Sequence, residues 1–137
     1  MAEGFARTYG SDVMTPLSAG IAPAIGIAPL TLKTMRDKNI DLAGAWPKGL
    51  GDTAIGGGMD LVVNITGRRL PFALNATVED WPVRDPIGEK EPVFRAVAEE
   101  IEHLVMRLIL RLRAERSRSG GQSAQEFEKP AQDRKVT

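Results

Sequence analysis

Apolar residues recur along this chain with two different spacings, and the alternation between them predicts the order of its elements. Ala2, Phe5, Ala6 and Tyr9 follow one another at intervals of three and one to three residues that keep them on one helix face, and Gly10 ends the pattern. Residues 2–9 are therefore expected as a short amphipathic helix with a glycine stop and no N-cap residue ahead of it. Thr15-Pro16-Leu17-Ser18-Ala19-Gly20 reads as a short strand leading into a loop, which Pro23 and Gly26 prolong. A second helix is expected from Pro29, where a missing N–H costs nothing, through Leu32 and Met35 to about Lys38.

The stretch 40–51, with Trp46-Pro47 and several glycines, reads as irregular. Gly56-Gly57-Gly58 then precedes Met59-Asp60-Leu61-Val62-Val63-Asn64-Ile65, whose nearly continuous apolar character predicts a buried strand. A phosphate cradle would follow a strand and open a helix with a Lys-Ser/Thr ending; this triplet precedes a strand, so it reads as a plain turn. Residues 78–83 form a weaker strand candidate because Pro82 interrupts them, and Asp85-Pro86-Ile87-Gly88 is rich in turn formers. The clearest element is a helix over 92–116. Its apolar face is Phe94, Val97, Ile101, Leu104, Val105, Leu108 and Leu112, and Arg111, Arg113 and Arg116 lie near the negative end of its dipole. Met106, Ile109 and Leu110 widen that surface, either as core or as a partner interface.

Helices alternating with apolar strands point to an α/β domain: three layers, with a small parallel sheet flanked by helices over residues 1–116. Only three strands are visible in the pattern. Beyond Ser117 the sole sizeable apolar residues are Phe127 and Val136, so burial cannot offset the entropy of ordering, and 117–137 is expected as a disordered tail.

Composition narrows the function classes. A chain of 137 residues with 42% hydrophobic residues suffices for one core. Eighteen basic residues balance 18 acidic ones, which leaves no positive excess for nucleic acid or anionic membrane surfaces. No membrane-length apolar run and no secretory layout at the N-terminus is present, so the expected location is cytoplasmic. Cysteine is absent, which removes disulfides, thiolate metal sites and thiol nucleophiles from these residues. The one histidine, His103, falls in a charged helical stretch and reads as a solvated surface residue; no metal and no organic cofactor is expected.

Several segments, in order, resemble the low-molecular-weight protein tyrosine phosphatases and the related arsenate reductases. Met1-Ala2-Glu3-Gly4-Phe5-Ala6-Arg7 is similar to the helix that follows their nucleophile loop. Ser18-Ala19-Gly20 resembles their second strand end, Asn39-Ile40-Asp41 with Lys48 and Leu50 their "GID…K.L" segment, and residues 59–65 their third strand. Trp81, Asp85-Pro86, then Phe94-Arg95-Ala96-Val97 with Glu100-Ile101 resemble the aspartate loop and closing helix. The likeness covers about residues 1–115.

The resemblance implies hydrolysis of a phosphate monoester, in a phosphorylated small molecule or a phosphoprotein, through a cysteine phosphoenzyme. It assigns Asp85 the role of general acid, with Pro86 beside it, and Ser18 that of bracing the nucleophile loop. The Cys-x5-Arg loop and the first central strand would lie immediately before Met1, and this sequence holds neither its cysteine nor its phosphate-binding arginine. The expectation is thus an N-terminally truncated, inactive phosphatase domain. Three departures bear on specificity. Ile87 stands where many tyrosine phosphatases carry aromatic residues, and Thr66 and Leu70 stand about where thioredoxin-coupled arsenate reductases carry cysteines. Two other readings stay open, an arsenate reductase-like protein and a non-catalytic interaction module in which the closing helix contacts a partner, and self-association through an exposed sheet or the closing helix is a further expectation.

Overall fold

The structure, a computed structural model, describes residues 1–20, 26–42, 44–45, 49, 59–70, 76–123 and 134–136, with 120–123 and 134–136 as backbone. Pro23, Trp46-Pro47, Lys48, Leu50 and the glycine triplet lie outside the described residues. The elements in chain order are α1 (Ala2–Gly10), β1 (Met14–Pro16), α2 (Pro29–Arg36), β2 (Leu61–Asn64), β3 (Thr77–Asp80), α3 (Glu91–Ser123) and β4 (Arg134–Val136). All strand pairings are parallel and the sheet order is β1-β4-β2-β3. This is an α/β fold with a small parallel sheet and helices, as the alternating pattern predicts.

Each element can be traced to its residues. In α1, Phe5 and Ala6 are buried, and Phe5 stacks on Tyr9 with ring centroids 6.2 Å apart. Gly10, expected as a stop, is still helical, and the next residue, Ser11, keeps right-handed helical angles. Its absent side chain serves packing instead: a Cβ there would lie 2.7 Å from Ile109 Cγ1 of α3. Helix α2 starts with proline in its first turn and closes where Asn39 turns left-handed at φ 62°. Strand β2 is buried along its whole length, as a central parallel strand must be. β3 stops at Asp80, before Pro82, and lies exposed at the sheet edge.

One core joins all three helices to the sheet, with Phe5, Met35, Leu61, Val63, Trp81, Val97, Ile101, Val105, Ile109 and Leu112 among its members. The period of two along β2 sends Val62 to the opposite face, where it meets Met59, Leu17 and Leu70. On α3 the expected stripe is buried except Leu104, which packs partly buried at its rim. Of the three residues that widen it, Ile109 is fully buried and Leu110 is 59% exposed.

Within 117–137 the described residues 117–123 and 134–136 take up regular structure. Helix α3 continues to Ser123, since each added residue extends an existing helix by one hydrogen bond, and Arg134–Val136 pairs as β4 between β1 and β2. Composition omits the reason: β1 and β2 otherwise present unpaired backbone edges to each other, and a strand between them satisfies those groups whatever its side chains.

Candidate functional site

A cavity of about 490 Å³ opens at the carboxyl ends of the parallel strands, the place where open α/β sheets bind ligands. Strand β1 leads into it through Leu17 and Ser18, β2 through Asn64, Ile65 and Thr66, and the loop after β3 through Asp85 and Pro86. The first residues of α1, Met1, Ala2 and Glu3, complete the mouth and turn the positive end of the α1 dipole towards it. The interior is apolar, with Val63, Val97, Ile101 and Val105 among its lining.

The loop that carries Asp85 is held from both ends. Trp81 is buried, its N–H donates to the Asn64 carbonyl at 2.9 Å, and its Nε1 donates to Glu79 Oε1 at 2.9 Å. Four residues on, exposed Asp85 accepts the Ile87 N–H on Oδ1 at 3.0 Å, an Asx-type turn. Glu89 N–H closes the following turn on the Pro86 carbonyl at 2.9 Å, with Gly88 at φ 82°, and Arg84 pairs with Glu89 at 2.7 Å. The carboxyl group is thus held by its own turn at the cavity rim.

Ser18 is half-buried and donates to Glu3 Oε2 at 2.9 Å, while Arg7 donates to Glu3 Oε1 at 3.0 Å. Its partner is therefore the first turn of α1. The structure brings Ser18, Asp85 and Pro86 to one cavity, although they lie 67 and 68 positions apart in sequence as residues 18, 85 and 86. Thr66 and Leu70 also line it. His103 is exposed and lies outside its lining.

Asn64 is the residue that the sequence pattern hides, because it sits inside an apolar run. Its buried Nδ2 donates to the Arg68 carbonyl at 2.7 Å and to Asp80 Oδ1 at 2.9 Å, while Oδ1 accepts from Thr66 N at 3.1 Å and Thr66 Oγ1 at 2.7 Å. One amide side chain thereby shapes the loop after β2 and ties it to the end of β3. The available signal is a polar residue closing an otherwise apolar strand. Among the described residues no cluster of three or more acidic or imidazole groups could hold a metal ion.

With this geometry in place, the comparisons with known proteins are specific. The family model for low molecular weight phosphotyrosine protein phosphatase matches residues 1–118. The chain belongs to this family. Within it, a glutaredoxin arsenate reductase from Synechocystis sp. is 28% identical over 116 residues, covering 82% of this chain and 87% of that protein. The structure of an arsenate reductase in the reduced state superposes with a TM-score of 0.69 at 25% identity, covering 80% of this chain and 86% of the other. An oxidised-state arsenate reductase gives 0.68 at 26% identity, covering 81% and 86%. This member of the low molecular weight phosphatase family holds no cysteine among its 137 residues.

Proposed function

We propose that this chain is the acid-bearing scaffold of a tetrahedral-oxyanion site of the phosphatase type, which does not itself turn over phosphate monoesters. The observation that carries the reading is the convergence of Asp85, Ser18 and the start of α1 on one cavity in a sequence without a thiol. In the complete reaction a cysteine thiolate attacks phosphorus, the P–O bond to the leaving group breaks, and an acid protonates the departing oxygen. Asp85 supplies that acid and, once deprotonated, the base that takes a proton from the hydrolytic water. Ser18 braces the nucleophile loop, and a phosphorylated small molecule or phosphoprotein is the substrate. Reducing cytoplasm suits such thiol chemistry.

Arsenate reduction is the second reading, favoured by the relatives, which are named arsenate reductases. A disulfide relay needs several thiols, and Thr66 and Leu70 at the cavity supply none. Only a reductase with one loop cysteine and a small external thiol fits.

Two assays test this. The purified, metal-free chain is expected to hydrolyse p-nitrophenyl phosphate no faster than buffer, and thiol-independent turnover would sink the proposal. Joined behind a strand and a Cys-x5-Arg loop, the same residues are expected to hydrolyse the aryl phosphate. Arsenate reduction with glutathione, without hydrolysis, would select the second reading.

A further inference from the structure

Two loops flank the cavity at the carboxyl ends of β2 and β3. Residues 65–70 follow β2 and contribute Thr66 and Leu70 to the lining, and residues 81–90 follow β3 and contribute Asp85 and Pro86. Asn64, the last residue of β2, stands at the root of both. Its side chain is only 7% exposed, and all of its hydrogen-bonding positions are filled. The two Nδ2 protons go to different loops, one to the Arg68 carbonyl at 2.7 Å and one to Asp80 Oδ1 at 2.9 Å. Its Oδ1 accepts from the Thr66 N–H at 3.1 Å and the Thr66 hydroxyl at 2.7 Å, and its main-chain carbonyl accepts the Trp81 N–H at 2.9 Å.

Among the described residues, no other side-chain hydrogen bond crosses from one loop to the other. The physical consequence follows from burial. If loop 65–70 swings away, Asn64 is left with a buried carbonyl oxygen and a buried N–H without partners, an arrangement costly enough that the side chain must turn to find others. Turning it breaks the bond to Asp80, which is the start of the second loop. The same holds in reverse, because a fully satisfied buried network loses more than one bond when any partner leaves.

We propose that Asn64 is a positioning residue that makes the two loops one unit, so that loop 65–70 and the loop carrying Asp85 are ordered together or loosened together. A ligand that grips Thr66 or Leu70 thereby also fixes the loop of Asp85. The catalytic meaning of this coupling rests on the reading of Asp85 as the acid. The coupling itself is measured without turnover, so its failure and the failure of that reading are separate results.

Residue-resolved amide hydrogen exchange on the full chain tests it, with Thr66 and Arg68 reporting on the first loop, Trp81 and Glu89 on the second, and Val105 and Ile109 on the core. Two substitutions at exposed positions probe from either side. Thr66→Val removes the hydroxyl that holds Asn64 Oδ1, and is expected to speed exchange at Trp81 and Glu89 by about three- to tenfold, the worth of one hydrogen bond. Asp80→Ala is expected to speed exchange at Thr66 and Arg68 by a similar factor, because coupling between two places is reciprocal. Asn64→Ala is expected to loosen both loops while Val105 and Ile109 keep their protection, and on that background neither exposed substitution reaches across. Effects of Thr66→Val confined to residues 66–70, or of Asp80→Ala confined to the β3 side, would overturn the proposal. So would equal acceleration at Val105 and Ile109, which would make Asn64 a contributor to general stability alone. The two exposed substitutions decide the matter even where Asn64→Ala unfolds the chain.

Discussion

Gly10 shows how a single residue can be read correctly by type and mistaken in role. Glycine after an amphipathic run reads as a helix stop, yet at Gly10 the decisive fact is that Ile109 Cγ1 and Cδ1 would lie 2.7 and 2.8 Å from a Cβ. Neither atom can retreat, because Ile109 is fully buried. Gly10→Ala should therefore cost about 1–3 kcal/mol, the usual penalty of overpacking, in urea denaturation. Placed on an Ile109→Ala background the same change should cost almost nothing; an equal cost there would show that the backbone, not the contact, is responsible. Asp85 forms an ordinary Asx turn through Oδ1 and also faces the cavity, so turn and acid are compatible roles for one side chain. In the chain joined behind a Cys-x5-Arg loop, Asp85→Asn should keep the turn and slow hydrolysis of an alkyl phosphate by about 10²–10⁴-fold. Loss of the same factor with very acidic leaving groups would leave only the turn.

Strand β3 is tied to the fold by side-chain contacts as well as by backbone pairing. It is an exposed edge strand, and Glu79 ties it inward by accepting from Trp81 Nε1 at 2.9 Å and from Arg111 of α3 at 2.5 Å. Partial burial pushes the Glu79 carboxyl up, but the hydrogen bonds from Arg111 and Trp81 outweigh it and hold the carboxyl below its ordinary value. A folded-state value below the unfolded one means stability that is present above the ordinary glutamate range and lost as pH falls through the folded-state value. Thermal melts from neutral pH downwards should show this loss on the acid side. Glu79→Gln should flatten that limb while lowering the plateau; an unchanged acid limb would show that other carboxylates set it. The sequence reading placed β3 approximately, but nothing in residues 78–83 reveals that its anchor is an arginine 32 positions away.

At the scale of the whole molecule, the sheet of the described residues is continuous only through β4. Removing residues 124–137 should expose the facing edges of β1 and β2, lower the melting temperature and promote association, because unpaired parallel edges are templates for other chains. Size-exclusion chromatography with light scattering would read this directly, and a monomer of unchanged stability would show that β4 contributes nothing. The sequence alone determined the local elements and the helical core, because periods of 3.6 and 2 leave their mark in consecutive residues such as Phe94, Val97 and Ile101 or Leu61 to Asn64. It also determined the absence of a thiol nucleophile from these residues. Only the tertiary structure decided that Gly10 is a contact, that Asn64 shapes a loop and that Arg134–Val136 lies between β1 and β2. Each of these depends on atoms distant in the chain, and packing and backbone pairing act on proximity in space, to which a local pattern is blind.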